Sequence, residues 1–182
     1  EQETEYATNT FLDIRIINTQ SVMNTPGGLL KFNISHRFGQ LNEGAYNLWG
    51  LDRSTIRLSL NYGLAQWLDV GVARSTYEKT FETNAKARIL YQSTGKKEMP
   101  VSLAWYSAAF LRSMKWREPD RDNLFSSRMS YAHQLIIARK FSDNFSMELV
   151  PTLIHYNLVE EEDDPNDRFS LGIAAKQHIT ES

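Results

Sequence analysis

Apolar and polar side chains alternate along most of this chain, in stretches of eight to twelve residues separated by segments of turn composition. The alternation is clearest in residues 30–37 and 56–62. Because successive side chains of a strand point to opposite faces, a period of two predicts strands with one apolar and one polar face. Strands of about ten residues, roughly 30 Å long, have the length that a tilted membrane-spanning barrel requires.

The pattern predicts nine strands in a single domain: residues 10–19, 28–38, 55–62, 68–74, 83–92, 101–116, 127–141, 145–156 and 168–176. Turn residues at hairpin length lie at 63–67 and 142–144. Longer connections run through residues 39–54, 75–82, 117–126 and 157–167. Short and long connections alternate in this way in transmembrane barrels. We therefore predict an all-β fold, an antiparallel up-and-down transmembrane β-barrel.

The two ends of the chain complicate this topology. Residues 1–9 are predicted as a polar N-terminal tail and residues 10–182 as the barrel domain. A first strand at 10–19 would put the N-terminus on the long-loop side, whereas the termini usually lie on the short-turn side. Three explanations are open: the segment runs along or through the barrel, the long loops face the periplasm, or the strand is misassigned. We favour misassignment or an unusual N-terminal path.

The number of strands is the second complication. Nine is an unusual, odd number for a bacterial single-chain barrel. We expect a C-terminally incomplete barrel that reaches about ten to twelve strands in full, and the alternative is an eight-stranded barrel with a loose tail.

One face of the predicted strands is apolar and suits contact with lipid. Its residues are Leu12, Ile14, Ile16, Leu30, Phe32, Ile34, Ile56, Leu58, Leu60, Leu68, Val70, Val72, Val101, Leu103 and Trp105. Aromatic residues near strand ends would form a girdle at the headgroups, namely Tyr62, Trp67, Tyr91, Trp116 and Phe145. The alternative is a soluble sandwich or lipocalin-like barrel whose apolar face points inward.

The opposite face is polar and mainly cationic. Its basic positions are Arg15, Lys31, Arg37, Arg57, Lys86, Arg88, Arg112, Arg128 and Lys176, and its acidic positions are Asp13, Asp69 and Glu148. A narrow lumen lined by these residues would favour anions, because low-dielectric walls focus the field. The alternative is a salt-bridge lattice that fills a small barrel, with further acids from loops such as Asp52 or Glu43.

Composition narrows the function classes only partly. The formal net charge of −2 and the pI near 6.1 argue against a nucleic-acid binder, which normally carries a basic excess. There is no cysteine, so disulfides and thiolate metal sites are excluded in the chain as given. The mean hydropathy of −0.46 is typical of a soluble protein. A β-barrel is compatible with that value, because half of each strand is polar.

Several segments, in order along nearly the whole chain, carry a family resemblance. They include Ser35-His36-Arg37-Phe38-Gly39, Gly50-Leu51-Asp52, Met99-Pro100-Val101, Gln134-Leu135-Ile136-Ile137-Ala138-Arg139-Lys140-Phe141 and Pro151-Thr152-Leu153. The chain resembles a domain-of-unknown-function family of outer-membrane β-barrel proteins from Bacteroidota. The resemblance implies an outer-membrane barrel with further strands after this segment, and it implies no established chemistry.

Candidate chemical sites are weak. His133 and His155 would be diagonal neighbours across the 142–144 turn. Two such imidazoles could begin a metal or haem site, but no third ligand is evident. Histidines at the membrane interface are the better interpretation. The acidic run 160–164 could bind Ca²⁺, although a solvated loop is favoured because no known ligand spacing recurs. We predict no catalytic residues, no metal and no cofactor.

The sequence thus predicts a bacterial outer-membrane barrel that is not an enzyme. Its predicted role is a small porin-like channel with a basic lumen. The alternative is a structural or docking barrel of a multi-protein envelope complex, because the long loops 39–54 and 157–167 exceed what a diffusion pore needs. Expected partners are outer-membrane lipid and other envelope proteins, and no nucleic acid.

Overall fold

The structure is a computed structural model that describes residues 3–17, 19–52, 54–116, 119–120, 122–159, 161 and 163–179. Its strands in chain order are β1 Glu5–Tyr6, β2 Arg15–Ile16, β3 Thr19–Gln20, β4 Leu30–Phe38, β5 Ser54–Ala65, β6 Leu68–Ser75, β7 Thr80–Leu90, β8 Ser93–Thr94, β9 Ser102–Arg112, β10 Met129–Lys140, β11 Phe145–Tyr156 and β12 Asp167–Gln177. Short 3-10 helices lie at Leu41–Glu43, Ala45–Gly50, Tyr77–Lys79 and Phe125–Arg128. Within these described ranges, no helix is long and apolar enough to cross a bilayer.

One antiparallel sheet of eight strands dominates the fold, in the order β12-β11-β10-β9-β7-β6-β5-β4. Strands that follow one another in this sheet also pair with one another, which is the up-and-down arrangement. The sheet is a half-barrel. In the described part of the chain, β4 pairs only with β5 and β12 only with β11, so both edges are open.

The connections separate into two rims. The long-loop rim carries the described residues of connections 39–53, 76–79, 113–128 and 157–166. The short-turn rim carries connections 66–67, 91–101 and 141–144. The predicted turn at 142–144 is confirmed, whereas the turn predicted at 63–67 is reduced to residues 66–67 because β5 continues to Ala65. The alternation of short and long connections holds except that connection 76–79 is shorter than connection 91–101. Of the predicted girdle, Trp67, Tyr91 and Phe145 lie at the short-turn rim and Trp116 lies in a loop of the opposite rim.

The two faces of the sheet differ in polarity as the sequence predicts. On β5, Ser59 and Asn61 are 2% and 8% exposed, whereas Leu58 and Leu60 between and beside them are 43% and 40% exposed. Leu30 and Phe32 on β4 are more than half exposed. An exposed apolar face opposite a buried polar one contradicts a soluble sandwich and supports the membrane barrel.

Eight of the nine predicted strands are confirmed as β4, β5, β6, β7, β9, β10, β11 and β12, with shifts at their ends. The largest shift is at β9, which ends at Arg112 rather than residue 116. β7 begins at Thr80 rather than residue 83 and ends at Leu90 rather than residue 92. The end of the predicted first strand includes residue 18, which lies outside the described residues.

The predicted first strand at 10–19 is wrong. In the described part of this segment, Arg15–Ile16 pairs with Thr19–Gln20 rather than with the large sheet. Phe11 and Ile14 are 4% and 6% exposed, since the segment crosses the interior. The alternation was misread because a buried hairpin with one side against a core has the same short-range pattern as a half-buried strand. The unusual N-terminal path considered above is the correct solution.

Candidate functional site

Residues 5–27, apart from residue 18, form what we call the N-terminal hairpin. It starts at the short-turn rim, where β1 pairs with β8, crosses the inner face and reverses between β2 and β3. Ile17 has a φ of 46° at that reversal. Gly27 then bridges to Gly63, so the hairpin enters and leaves by the same rim. A Cβ on Gly63 would lie 2.1 Å from the Pro26 carbonyl oxygen, so only glycine allows this approach.

Lys86 on β7 is the central anchor of the N-terminal hairpin. Its ammonium group donates hydrogen bonds to the backbone carbonyls of Ile14, Ser21 and Met23, at 3.0, 3.2 and 2.5 Å. The residue is 1% exposed. Because an ammonium has three protons and no acceptor, these carbonyls satisfy it completely. Lys86 therefore binds the hairpin backbone both before and after its reversal.

Inner-face acceptors hold the returning arm of the hairpin. Each accepts a backbone N–H: Val22 donates to Glu148 at 3.3 Å, Thr25 to Asp69 at 2.9 Å and Gln20 to Gln134 at 3.1 Å. Asp69 and Glu148 are each 1% exposed. Burial of carboxylates is costly unless they are hydrogen-bonded and near a counter-charge, and Lys86 supplies that charge to both.

An apolar core completes the attachment. Phe11 and Val22 of the hairpin pack in one cluster with Ile136 of β10 and Val150 of β11. The last three are fully buried. The core of this molecule therefore lies between the hairpin and the inner face of the sheet, and the outer face contributes none of it.

Arg57 and Glu82 form a bidentate ion pair across the inner face. Arg57 Nε and Nη2 donate to the two Glu82 oxygens at 2.9 and 2.7 Å. Glu82 also accepts from the Tyr106 hydroxyl and from the Asn84 amide, each at 3.0 Å. Oε1 accepts three of these four charge-assisted bonds and Oε2 accepts one. Its negative charge is fully engaged by the strands themselves.

Most of the other predicted lumen cations also have partners. These are Lys31 with Asp13, Arg112 with Glu78 at 3.5 Å, Arg88 with the Ser102 hydroxyl at 3.1 Å, Arg128 with the carbonyl of Arg112 at 3.1 Å, and Lys176 with the carbonyl of Asn9. The inner wall is thus largely a lattice of satisfied charges, the alternative that the sequence left open.

A cavity of about 370 Å³ remains between the N-terminal hairpin and strands β4 and β5. Its wall includes Arg15 from the hairpin, Arg37 from β4 and Arg57 from β5. Among the residues that the structure describes, neither Arg15 nor Arg37 forms an ion pair or a hydrogen bond through its guanidinium group. Ser59 also lines the cavity, is 2% exposed and has no hydrogen-bond partner for its hydroxyl.

The predicted lumen residues fall into three groups. Strand residues on the inner face are Lys31, Arg37, Arg57, Asp69, Lys86, Arg88, Arg112, Glu148 and Lys176. Asp13 and Arg15 lie on the N-terminal hairpin, and Arg128 lies in a 3-10 helix at the long-loop rim. The structure brings Arg15, Arg37 and Arg57 together at one cavity, whereas Asp69, Lys86 and Glu148 gather around the hairpin backbone.

Three residues of the predicted lipid face are misplaced. Ile14 is buried, Ile16 packs against the core cluster, and Leu12, although 84% exposed, belongs to the hairpin and not to the sheet. This error follows from the wrong first strand.

Glu82 is the inner-face acid that the sequence analysis missed. The predicted strand began at residue 83, which left Glu82 in a loop. The alternation of Phe81, Glu82, Thr83 and Asn84 continues the pattern of β7. A strand that began one residue earlier would have placed this carboxylate on the same face of the sheet as Arg57.

The outer-face histidines have separate partners. The predicted diagonal register is confirmed, since His133 pairs with Leu153 and His155 with Tyr131. His133 Nδ1 lies 2.9 Å from the Ser107 hydroxyl, and His155 Nδ1 lies 2.7 Å from Asp167.

The Ser107–His133 pair has the residue types of a nucleophile and its base, but its surroundings are structural. The Trp105 indole donates to the Ser107 hydroxyl at 2.8 Å, and in the described part of the chain no carboxylate bonds the His133 ring. The pair lies in the middle of β9 and β10 on the apolar face, where every polar group needs an internal partner. We interpret it as a satisfied polar network.

Of the acidic run 160–164, in which a Ca²⁺ site was considered, residues 160 and 162 lie outside the described residues. In the ranges that are described, no group of three or more histidine, aspartate or glutamate side chains is arranged to hold a metal ion.

Comparison with known proteins agrees with this architecture. Residues 11–182 match a family described as "Membrane bound beta barrel domain (DUF5777)". No curated protein and no solved structure matches the chain. The description names no organism, so the Bacteroidota origin stays an expectation. The match covers the N-terminal hairpin from residue 11 onward and all eight strands of the sheet. The chain belongs to this family of membrane-bound β-barrel domains.

Proposed function

We propose that this chain is a non-catalytic barrel of a bacterial outer membrane that is closed by its N-terminal hairpin and docks other envelope proteins. The observation that carries the proposal is the hairpin itself. It covers the inner wall at the place where a pore would conduct, and buried side chains of β6, β7 and β11 hold its backbone. A filled interior favours a docking role over free diffusion of solutes.

The long-loop rim is the surface that we propose for docking. Its loops expose large apolar side chains, namely Tyr46, Leu48, Trp49, Leu51, Tyr77, Met114, Leu124, Phe125 and Leu158. Contiguous exposed apolar surface on a folded protein marks interaction sites. Aromatic residues in particular supply the anchors of protein interfaces.

Co-purification from native membranes tests the docking role with a matched pair of variants. Trp49 on the long-loop rim and Trp67 on the short-turn rim are 54% and 53% exposed. We expect Trp49→Ala to reduce the recovery of partner proteins about tenfold or more, as truncation of an aromatic anchor does, while Trp67→Ala leaves it unchanged. A barrel that is always recovered alone, or equal losses for both variants, would contradict the proposal.

A porin-like anion channel is the second candidate, and the arginine-lined cavity favours it. The cavity shows that the hairpin does not fill the whole inner side, and its free positive charges would attract anions. Conduction then requires movement of the hairpin or a path beside it.

Single-channel recording tests this second candidate. The channel role predicts an anion preference that Arg57→Glu or Arg88→Glu reduces. Inserted protein that leaves the bilayer insulating would eliminate it.

The open edges of the sheet bear on both candidates. Unpaired strand edges do not occur in the hydrocarbon region of a bilayer, because their backbone groups have no other partner there. The open edges of β4 and β12 support the expectation of a full barrel of about ten to twelve strands surrounded by outer-membrane lipid.

A further inference from the structure

We propose that the cavity between the N-terminal hairpin and strands β4 and β5 is a binding site for a small, multiply charged oxyanion of the phosphate type. The site is separate from the docking role proposed above, and it needs neither a protein partner nor an open pore. The proposal rests on two guanidinium groups that line the same cavity, that of Arg15 from the hairpin and that of Arg37 from β4.

The charge balance of the cavity is positive. Arg15, Arg37 and Arg57 all line it. Glu82 neutralises Arg57 by a bidentate pair. Among the residues that the structure describes, Glu82 forms no ion pair or hydrogen bond with Arg15. Asp13 is engaged by Lys31. Within the described ranges of the chain, two positive charges therefore remain in the cavity without a counter-ion.

Arg15 is the residue that most needs an anion. Its guanidinium interacts electrostatically with the like charges of Arg57 and Arg37 as well as with Glu82. A buried or half-buried guanidinium next to like charges is unfavourable unless acceptors surround it. Because guanidinium groups match oxyanions with paired N–H donors, Arg15 and Arg37 are suited to two sides of a phosphate.

Neutral donors complete the site. The Ser59 hydroxyl is buried and lines the cavity, and no residue that the structure describes forms a hydrogen bond with it. The side chain of Asn33 on β4 also contributes to the lining. An unpaired buried hydroxyl has a cost that a bound oxygen acceptor would remove.

The cations of the cavity favour a free anion over a lipid headgroup. Arg15 lies on the hairpin, and Arg37 and Arg57 lie on the inner face of the sheet, opposite the apolar face that suits acyl chains. Ile34 and His36 of the open edge strand β4 complete the wall. A volume of about 370 Å³ is more than sufficient for a small oxyanion. Since Arg15 belongs to the hairpin and Arg37 to the wall, the bound anion joins the two.

Calorimetric titration of the folded protein in detergent with inorganic phosphate, at constant ionic strength, tests the site. We expect saturable binding that Arg15→Gln and Arg37→Gln each weaken about tenfold to a hundredfold, the effect of losing a charged hydrogen bond. Arg139→Gln is the matched control. It removes the same charge, but Arg139 stacks on Phe141 near the opposite rim, away from the cavity. Phosphate should also raise the unfolding temperature of the wild-type protein and slow proteolysis of the hairpin, since it binds the closed form.

The possible outcomes decide the proposal in either direction. Loss of binding in both cavity variants, with Arg139→Gln unaffected and all proteins showing the wild-type strand signal by circular dichroism, supports it. Folded wild-type protein that does not bind millimolar phosphate would overturn the site. Equal weakening by all three variants would do the same, because it would indicate general attraction to a basic surface.

Discussion

The two faces of the eight-stranded sheet share one backbone and have opposite surroundings. The outer face exposes leucine, phenylalanine and tryptophan side chains, and the inner face buries carboxylates, amides and a lysine. In a water-soluble sheet the buried face would be the apolar one. The difference shows that the polar side chains are buried by another part of the same protein, and that part is the N-terminal hairpin.

The hairpin replaces water on the inner face. Its carbonyl and N–H groups bond Lys86, Asp69 and Glu148, which would otherwise need solvent. Its apolar side chains, Phe11 and Val22 among them, pack on the alanine-, isoleucine- and valine-rich part of β9–β11. The outer face has no such cover in the described residues, so lipid is the environment that it requires.

Removal of the central inner-face anchor should have the largest effect on stability. Lys86→Met leaves three backbone carbonyls and two buried carboxylates without their cation, and removing one partner from a buried charge network costs about 3–5 kcal/mol. Denaturant unfolding in detergent or lipid vesicles measures the change in the free energy of unfolding.

Lys31→Met is the matched control for this anchor. Lys31 and Asp13 have side chains that are 33% and 48% exposed, and such a pair contributes about 0–1 kcal/mol. If the two variants lose equal stability, the inner face is wetter than the structure indicates and the comparison of the faces fails.

A charge on the outer face should have the next largest effect. Leu60 lies in the middle of β5 and is 40% exposed. If this face contacts hydrocarbon, Leu60→Arg destabilises the protein in phospholipid vesicles by about 2–4 kcal/mol. Leu158→Arg, in a loop of the long-loop rim at 49% exposure, should change the free energy of unfolding far less. A neutral Leu60→Arg would mean that the outer face contacts water.

The smallest effect on stability is expected in the 141–144 connection of the short-turn rim, which belongs to neither face of the sheet. The hydrogen bond and the positive charge of Lys140 hold the pKa of Asp143 below its ordinary value. Lys140→Met should raise that pKa toward the ordinary value, as measured by NMR titration of the carboxyl carbon in micelles, whereas Lys96→Met in the 91–101 connection should not.

The sign of the pH effect at this turn follows from the direction of the shift. A carboxyl with a lowered pKa in the folded state stabilises the fold above its unfolded pKa, and this contribution is lost as the pH falls through the folded pKa. The variant should therefore lose the pH dependence that is specific to Asp143. An unchanged Asp143 titration would show that the turn does not hold the pair.

The strands were predictable because their signal is local. In each of β4–β7 and β9–β12, the polarity of successive side chains alternates with the face of the sheet on which they lie. Leu58, Ser59 and Leu60, for example, lie on the outer, inner and outer face, and their polarity alone indicates this. The polar face could likewise be identified, and nine of its predicted residues lie on the inner-facing side of the strands.

The candidate site was less predictable because its contacts are long-range. Lys86 is 63 to 72 residues away from the carbonyls that it binds, and Glu148 is 126 residues away from the Val22 amide. Backbone groups carry no sequence signature, so the partners of these side chains could not be deduced. Glu82 was missed for a different reason, since a strand boundary misplaced by three residues moved it into a loop.

Alternation by itself determined that this chain forms antiparallel strands with an apolar and a polar face and that its apolar face suits a membrane, because those properties depend only on neighbouring residues. The tertiary structure decided what fills the concave side and which charges are compensated. It also decided that Arg15 and Arg37 have no ion-pair partner among the described residues. Those outcomes depend on which distant segments meet, and a hairpin that packs inside the sheet has the same local pattern as a strand within it.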